Sequence, residues 1–65
     1  MSQTPKFFIV EAKALPEIFL KVAEAKRVLE LREADTVNEA TQMVGISRSA
    51  FYKYKDSIRP FNDML

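Results

Sequence analysis

The chain has 65 residues, a net charge of +1 from 10 basic and nine acidic side chains, and neither cysteine nor histidine. A chain of this length forms at most one domain, which buries about 60% of the surface that its unfolded form exposes. Without cysteine or histidine it has no disulfide and no zinc site built from those ligands. No apolar run approaches the roughly 20 residues that cross a bilayer, so we expect a cytoplasmic protein.

The N-terminal segment combines aromatic and β-branched residues. Residues 1–5 are expected to form a disordered or extended tail, and residues 6–11 predict a short buried strand. No other segment predicts a strand, so its unpaired edge favours pairing with a second chain or docking on another domain. An apolar arm that packs on the first helix without ladder hydrogen bonds is the alternative.

A longer support helix is predicted over residues 15–34. Pro16 suits a first helical turn, and Glu17 is favourable near the positive end of the helix dipole. One apolar stripe follows the helical period: Leu15, Ile18, Phe19, Val22, Ala25 and Leu29. Leu20, Val28 and Leu31 fall on the other side, which indicates contact with the strand or with a second subunit, or else scattered apolar surface residues. The side chains expected at a dimer interface are Phe7, Phe8, Ile9, Val10, Leu20 and Leu31.

Residues 36–58 predict two short helices joined by a tight turn. Thr36 and Glu39 have the spacing of a capping box, which marks the start of a helix. Gly45 can adopt a positive φ just past the end of that helix, and Ser47 suits the N-cap of the next one. The predicted helices span about 37–44 and about 48–57.

Apolar residues fall at the positions that such a unit must bury: Ala40, Val44, Ile46, Phe51, Tyr54 and Ile58. The opposite face of the second helix is polar and mostly basic, and a helix of this kind enters the DNA major groove. Cations and hydroxyl groups on that face can contact phosphates or guanine edges. The residues predicted to bind DNA are Ser47, Arg48, Ser49, Tyr52, Lys53 and Lys55.

Positive charge is concentrated in this region. Residues 46–60 contain four basic residues and one acidic residue, whereas the rest of the chain carries more acidic than basic residues. This distribution favours double-stranded DNA as the partner. A solvated helix face, or a dimerisation and protein-interaction module without DNA binding, is the alternative. Lys26 and Arg27, further upstream, are expected to be solvated, with phosphate contact as their alternative.

Catalysis is not expected, because the chain has no His–Asp or Cys–His pairing and no glycine-rich phosphate loop. Its length also leaves little room for a ligand pocket of several hundred Å³. We therefore expect no enzymatic activity, no cofactor and no metal. The predicted fold class is mainly α: a short N-terminal strand followed by a three-helix unit that contains a helix-turn-helix, assembled as a dimer.

Several motifs resemble an uncharacterised bacterial family of ACT-domain-containing proteins. They are Phe7-Phe8-Ile9-Val10, Leu15-Pro16-Glu17, Val37-Asn38-Glu39-Ala40, the run from Gly45 to Asp56, and Pro60-Phe61-Asn62. The likeness covers about residues 6–65, and its most specific part is the run from Ser47 to Asp56. The Gly-Ile-Ser turn also resembles, over a shorter stretch, that of tetracycline-repressor-type regulators.

The resemblance implies an N-terminal helix-turn-helix segment followed by a C-terminal ACT domain. ACT domains commonly bind amino acids and dimerise, so the implied function is that of an amino-acid-responsive bacterial transcription regulator. We expect this chain to stop before the ACT domain, with residues 59–65 as the linker to it. An amino-acid effector would then act only through that absent domain, and the chain is either a piece of a longer protein or a complete short protein.

Overall fold

The computed structural model describes residues 5–59, which form a three-helix unit. A short 3-10 helix, Ala12–Ala14, precedes α1 (Glu17–Glu30), α2 (Val37–Val44) and α3 (Arg48–Tyr54). The expected tail over 1–5 and the expected linker over 59–65 lie outside the described residues, apart from Pro5 and Arg59. The mainly α prediction is confirmed, and the last two helices are joined by a short turn.

The predicted N-terminal strand is wrong. Residues 7–11 have no regular secondary structure, and no strand occurs anywhere between residues 5 and 59. A strand needs a ladder partner, and the other apolar segments of the described chain are committed to helices. The segment is not buried either, since Phe7 is 83% exposed and Ile9 is 84% exposed. The dimer that we expected stays a prediction.

Helix α1 begins directly after Pro16, whose carbonyl oxygen accepts a hydrogen bond from the Phe19 N–H at 3.1 Å. The helix ends at Glu30, about one turn earlier than predicted. Arg32 has a φ of 63°, and the N–H groups of Glu33 and Ala34 donate to the Val28 carbonyl oxygen at 2.9 and 3.1 Å. This left-handed residue turns the chain back, so that Ala34 is buried against the helix that precedes it.

The core lies where α1 crosses the other two helices. Its buried side chains are Val22, Ala25, Val28, Ala34, Ala40 and Phe51. Leu29, Val37, Val44, Ile46, Tyr54 and Ile58 pack against them, half-buried. The predicted inward stripe of α1 is present, but Val28 was assigned to the wrong face. It is only 2% exposed, because the reversal at Arg32 folds Ala34 onto that side of the helix.

Helix α2 begins and ends with local hydrogen bonds. The Thr36 hydroxyl accepts from the Glu39 N–H at 3.1 Å, which satisfies one of the free N–H groups of the first turn. The Glu39 carboxylate accepts from the Asp35 N–H at 2.9 Å, one residue before the partner that a standard capping box uses. The bounds predicted for this helix agree with the observed Val37–Val44.

Candidate nucleic-acid interface

The turn between α2 and α3 depends on Gly45. Its φ of 82° and ψ of 39° are left-handed, and the N–H groups of Gly45 and Ile46 both donate to the Thr41 carbonyl oxygen at 2.8 and 3.0 Å. Such a bond pattern closes the C-terminus of a helix and reverses the chain sharply. Ile46, which follows the turn, packs against the core and so holds α3 against the rest of the fold.

The side chain of Thr41, whose carbonyl oxygen accepts the two hydrogen bonds of the turn, is itself buried in α2. Its hydroxyl donates within α2 to the carbonyl oxygens of Val37 and Asn38 at 2.9 and 3.1 Å. The hydroxyl group is therefore satisfied inside the core, as buried polar groups must be. The helix can present this face to α1 without leaving an unpaired polar atom.

Helix α3 starts at a side-chain cap. The Ser47 hydroxyl oxygen accepts from the Ala50 N–H at 3.1 Å and lies 3.4 Å from the Ser49 hydroxyl. Ser47 has extended backbone angles, so the helix proper begins at Arg48. The helix ends at Tyr54, three residues before the predicted end, and residues 55–57 form a turn.

The two faces of α3 differ in chemistry. Phe51 is buried in the core, and Tyr54 is half-buried with its ring edge-to-face against Phe19 of α1. Exposed side chains occupy the opposite face, at the spacing that places them together on a helix surface. This outward face consists of Arg48, Ser49, Tyr52 and Lys53. The structure thus brings together four of the six residues predicted to bind DNA.

The cations of this face are not neutralised by neighbouring carboxylates in the described structure. Between residues 5 and 59, no acidic group lies within 4.0 Å of the charged atoms of Arg48 or Lys53. The Lys53 ammonium group lies 5.3 Å from the centroid of the Tyr54 ring, within the range of a cation–π contact. Both cations therefore face solvent with their charge available to a polyanion.

The remaining two predicted residues occupy different settings. Ser47 is exposed at the start of α3, where its oxygen is engaged as a cap while its proton can still be donated. Lys55 is half-buried beyond the end of the helix, and its ammonium group lies 3.3 Å from the Asp56 carboxylate. Lys55 is therefore a weaker candidate for phosphate contact than Lys53.

Lys26 is a site residue whose structural role the sequence did not reveal. Its ammonium group donates to the carbonyl oxygens of Lys55 and Ile58 at 2.5 and 2.8 Å, beyond the end of α3. Its neighbour Arg27 instead forms an exposed pair with Glu24, in which the hydrogen bond from Arg27 lowers the pKa of the Glu24 carboxyl. The only sequence signal for Lys26 is its place beside Ala25, at the edge of the inward stripe.

The residues predicted for a dimer interface divide into two groups. Five of them line one open groove of about 600 Å³ between the N-terminal segment, α1 and the residues after α3. We call this group the arm surface, and it consists of Phe7, Phe8, Ile9, Val10 and Leu20. Leu31 lies outside the groove, about 16 Å further along α1. All six side chains are exposed.

In the part of the chain that the structure describes, no group of three or more acidic side chains is arranged to hold a metal ion. None of the described helices has the length and apolarity needed to cross a membrane.

The fold and this outward face define a three-helix domain whose last two helices form a helix-turn-helix. Comparison with known proteins adds relatives. A UPF0735 ACT domain-containing protein of Acetivibrio thermocellus is 56% identical over 61 residues, which are 94% of this chain and 42% of that protein. A protein of the same name from Caldicellulosiruptor saccharolyticus is 64% identical over 55 residues, 85% of this chain and 37% of its own length.

Bacillus subtilis has another such relative, UPF0735 ACT domain-containing protein YszB. It is 44% identical over 59 residues, 91% of this chain and 40% of that protein. The resemblance inferred from the sequence is thereby confirmed: the chain is homologous to bacterial proteins named UPF0735 ACT domain-containing protein. It spans about 40% of the length of the curated relatives that it matches. No protein-family model and no solved structure matches the chain.

Proposed function

We propose that this chain is the DNA-binding helix-turn-helix module of a bacterial transcription regulator. The observation that carries the proposal is the outward face of α3. Two cations and two hydroxyl groups lie together there on a helix whose opposite face is buried. An α-helix with its side chains is about 10–12 Å across, which suits insertion into a major groove about 12 Å wide.

Each side chain of the face has a role that its chemistry permits. Arg48 is the arginine of the first turn, and it can donate two hydrogen bonds to a guanine edge or pair with a phosphate. Lys53 acts as a point charge for a backbone phosphate. Tyr52 and Ser49 donate hydroxyl hydrogen bonds to phosphate oxygens, which fix the register of a helix on DNA. Ser47 and Lys55 add phosphate contacts at the two ends of the face.

The low net charge of the chain sets the expected strength of binding. A net charge of +1 provides little long-range attraction, so affinity should be weak and should decline with salt in proportion to the few cations of the face that contact phosphates. This role also requires access to the chromosome, which places the protein in the bacterial cytoplasm. We expect no catalytic activity.

We propose an amino-acid effector only for the whole protein, and not for this chain by itself. The names of the relatives include an ACT domain, and domains of that class commonly bind amino acids. Because the chain spans about 40% of those proteins, the effector site would lie in another part of the protein.

The test measures binding of the 65-residue chain to fluorescent genomic DNA fragments at several salt concentrations. The variant Arg48→Ala/Lys53→Ala removes both cations of the face. We expect at least a tenfold loss of affinity, and a fall of about 2 in the slope of log affinity against log salt. Circular dichroism of each protein verifies that the helices are retained.

A matched control removes two cations elsewhere. Lys6→Ala/Lys13→Ala lowers the net charge by the same amount at exposed positions before α1. This control should keep most of the affinity. If both double variants lost the same affinity, binding would depend on the total charge of the chain, and the assigned face would be refuted. A parent chain that does not bind DNA at 50 mM salt would refute the function.

The arm surface supports a second candidate, a self-association module. Its five side chains expose roughly 600 Å² per chain, given about 150–250 Å² for a whole aromatic side chain. A symmetric contact between two copies would therefore bury about 1,200 Å², the lower limit for a specific interface. The contact would use side-chain packing, without strand pairing.

Light scattering across a range of protein concentrations tests this candidate. Phe7→Ser/Ile9→Ser should shift the chain from dimer to monomer, because it removes two large apolar side chains from the surface. Met43→Ser changes an apolar residue of α2 that is 55% exposed and lies outside the arm surface, and it should leave the dimer intact. A monomeric parent at all concentrations would dismiss self-association, whereas a dimer that fails to bind DNA would favour it over the first proposal.

A further inference from the structure

One lysine connects the support helix to the end of α3. Lys26 lies in the middle of α1, and its ammonium group donates to the carbonyl oxygens of Lys55 and Ile58. Lys26 is 29 positions from Lys55 and 32 positions from Ile58 in the chain. Every other side-chain hydrogen bond recorded between residues 5 and 59 joins residues that are four or fewer positions apart. Lys26 therefore supplies the long-range polar contact of the described fold.

The position of this contact is chemically specific. The Lys55 carbonyl group stands at the C-terminal end of α3, where carbonyl groups lack helical N–H partners and carry partial negative charge, whereas the Ile58 carbonyl group lies beyond the turn. An ammonium group has three donors and no acceptor, so it can bond both oxygens at once. The turn after α3 contains one backbone hydrogen bond of its own, from the Ser57 N–H to the Tyr54 carbonyl oxygen at 2.9 Å. Lys26 thus adds two hydrogen bonds to the one that the backbone forms in this region.

We infer that Lys26 is a positioning residue for Lys55, the proposed phosphate contact beyond the end of α3. It acts through the two carbonyl groups, which fix where α3 ends and where the turn carries Lys55. This inference rests on the proposed function, because Lys55 is one of the proposed phosphate contacts. Lys26 itself is half-buried, and its ammonium group is engaged by the two carbonyl oxygens.

The geometry separates positioning from simple stabilisation. Ile58 already packs against the core, so apolar contacts anchor the chain beyond the turn. Loss of the Lys26 donors should loosen the turn from Lys55 to Ile58 while the start of α3, capped by Ser47, stays in place. A general loss of stability would affect both ends of the helix alike.

Amide hydrogen exchange of the 65-residue chain tests the first step. In Lys26→Met, which keeps most of the alkyl stem, we expect the Ser57 N–H to exchange about tenfold faster. The Phe51 N–H, which donates to the Ser47 carbonyl oxygen at 3.1 Å, should change far less. Lys26→Arg retains charge and donors and should restore slow exchange at Ser57. Equal acceleration of both amides would overturn the inference.

DNA binding tests the second step through a double-mutant cycle. Lys55→Ala should weaken binding about threefold in the parent chain and leave it unchanged in the Lys26→Met background, where Lys55 is no longer held. Lys21→Met is the matched control, since Lys21 is a half-exposed lysine of the same helix paired with Glu17 at 3.6 Å. In that background, Lys55→Ala should retain its threefold effect.

The two proposals fail in different ways. A parent chain that does not bind DNA refutes the proposed function, and with it the role of Lys26 in DNA binding. The amide exchange rates still report whether Lys26 holds the turn. A parent that binds DNA, with additive effects of Lys26→Met and Lys55→Ala, refutes the positioning role alone.

Discussion

The ring of Phe19 in α1 meets the ring of Tyr54 in α3 edge to face, with the ring centroids 4.9 Å apart and the planes at 79°. The Lys53 ammonium group lies over the same tyrosine ring at 5.3 Å. Tyr54 therefore connects the support helix to the outward face of α3. Helix packing and placement of the cation depend on one side chain.

We expect Phe19→Leu to lower the free energy of unfolding by about 1–2 kcal/mol, because it removes the ring contact and leaves part of its volume unfilled. A double-mutant cycle with Tyr54→Leu should show a coupling of about 0.5–1.5 kcal/mol. Urea unfolding measures both values. Phe8→Leu is the control, since Phe8 is exposed and should change stability by less than about 0.5 kcal/mol.

Gly45→Ala should destabilise the chain by about 1–2 kcal/mol. The reason is the backbone alone: at a φ of 82° a Cβ is strained, whereas the nearest atom to an added Cβ is the Lys21 ammonium nitrogen at 3.8 Å, an ordinary contact. Gly45→Asn should cost less, because asparagine tolerates this conformation better. Thermal unfolding followed by circular dichroism distinguishes the two. Equal melting temperatures for all three proteins would contradict a left-handed residue at this turn.

Arg32→Gly should raise the free energy of unfolding by about 0.5–1 kcal/mol, whereas Gly45→Ala lowers it. Arg32 has a φ of 63°, so glycine relieves the Cβ strain, which outweighs the extra freedom that glycine gains in the unfolded chain. Arg32→Ala keeps the Cβ and removes the charge, and it should be close to neutral. The denaturant midpoints of the parent, Arg32→Gly and Arg32→Ala proteins measure these differences in stability. A destabilised glycine variant would show that the side chain of Arg32 contributes more than its backbone strain costs.

Thr36→Ala should cost about 1 kcal/mol, since the Glu39 N–H then loses its acceptor at the start of α2. Thr36→Asp restores an acceptor and should recover most of the loss. For a domain of this size, 1 kcal/mol corresponds to a melting shift of about 4–8 °C. If Thr36→Asp melted no higher than Thr36→Ala, the cap would not be the stabilising contact.

Local signals predicted α2 and its turn well. The cap at Thr36, the left-handed Gly45 and the cap at Ser47 each involve residues within a few positions of one another, so their bonding is nearly independent of the rest of the fold. The outward face of α3 followed from the same periodicity. These features were accessible because the chemistry that forms them is local.

Predictions that needed a partner at a distance were wrong or absent. The run from Phe7 to Val10 has the composition of a strand, yet composition supplies no ladder partner. The end of α1 was set too late, and Val28 was placed on the wrong face, because the left-handed Arg32 and the burial of Ala34 depend on where α2 packs. The contact of Lys26 with Lys55 joins residues 29 positions apart, which no periodicity indicates.

By itself, the amino-acid sequence determined where α2 and α3 start, where the chain reverses between them, and which polar residues share a helix face. Caps, glycine conformation and helical period act over a few residues, and that range explains their predictability. The tertiary structure decided which apolar segments are covered and which lysine reaches the end of α3. Burial and long-range hydrogen bonds exist only after distant elements meet, so their outcome depends on the packing of the whole chain.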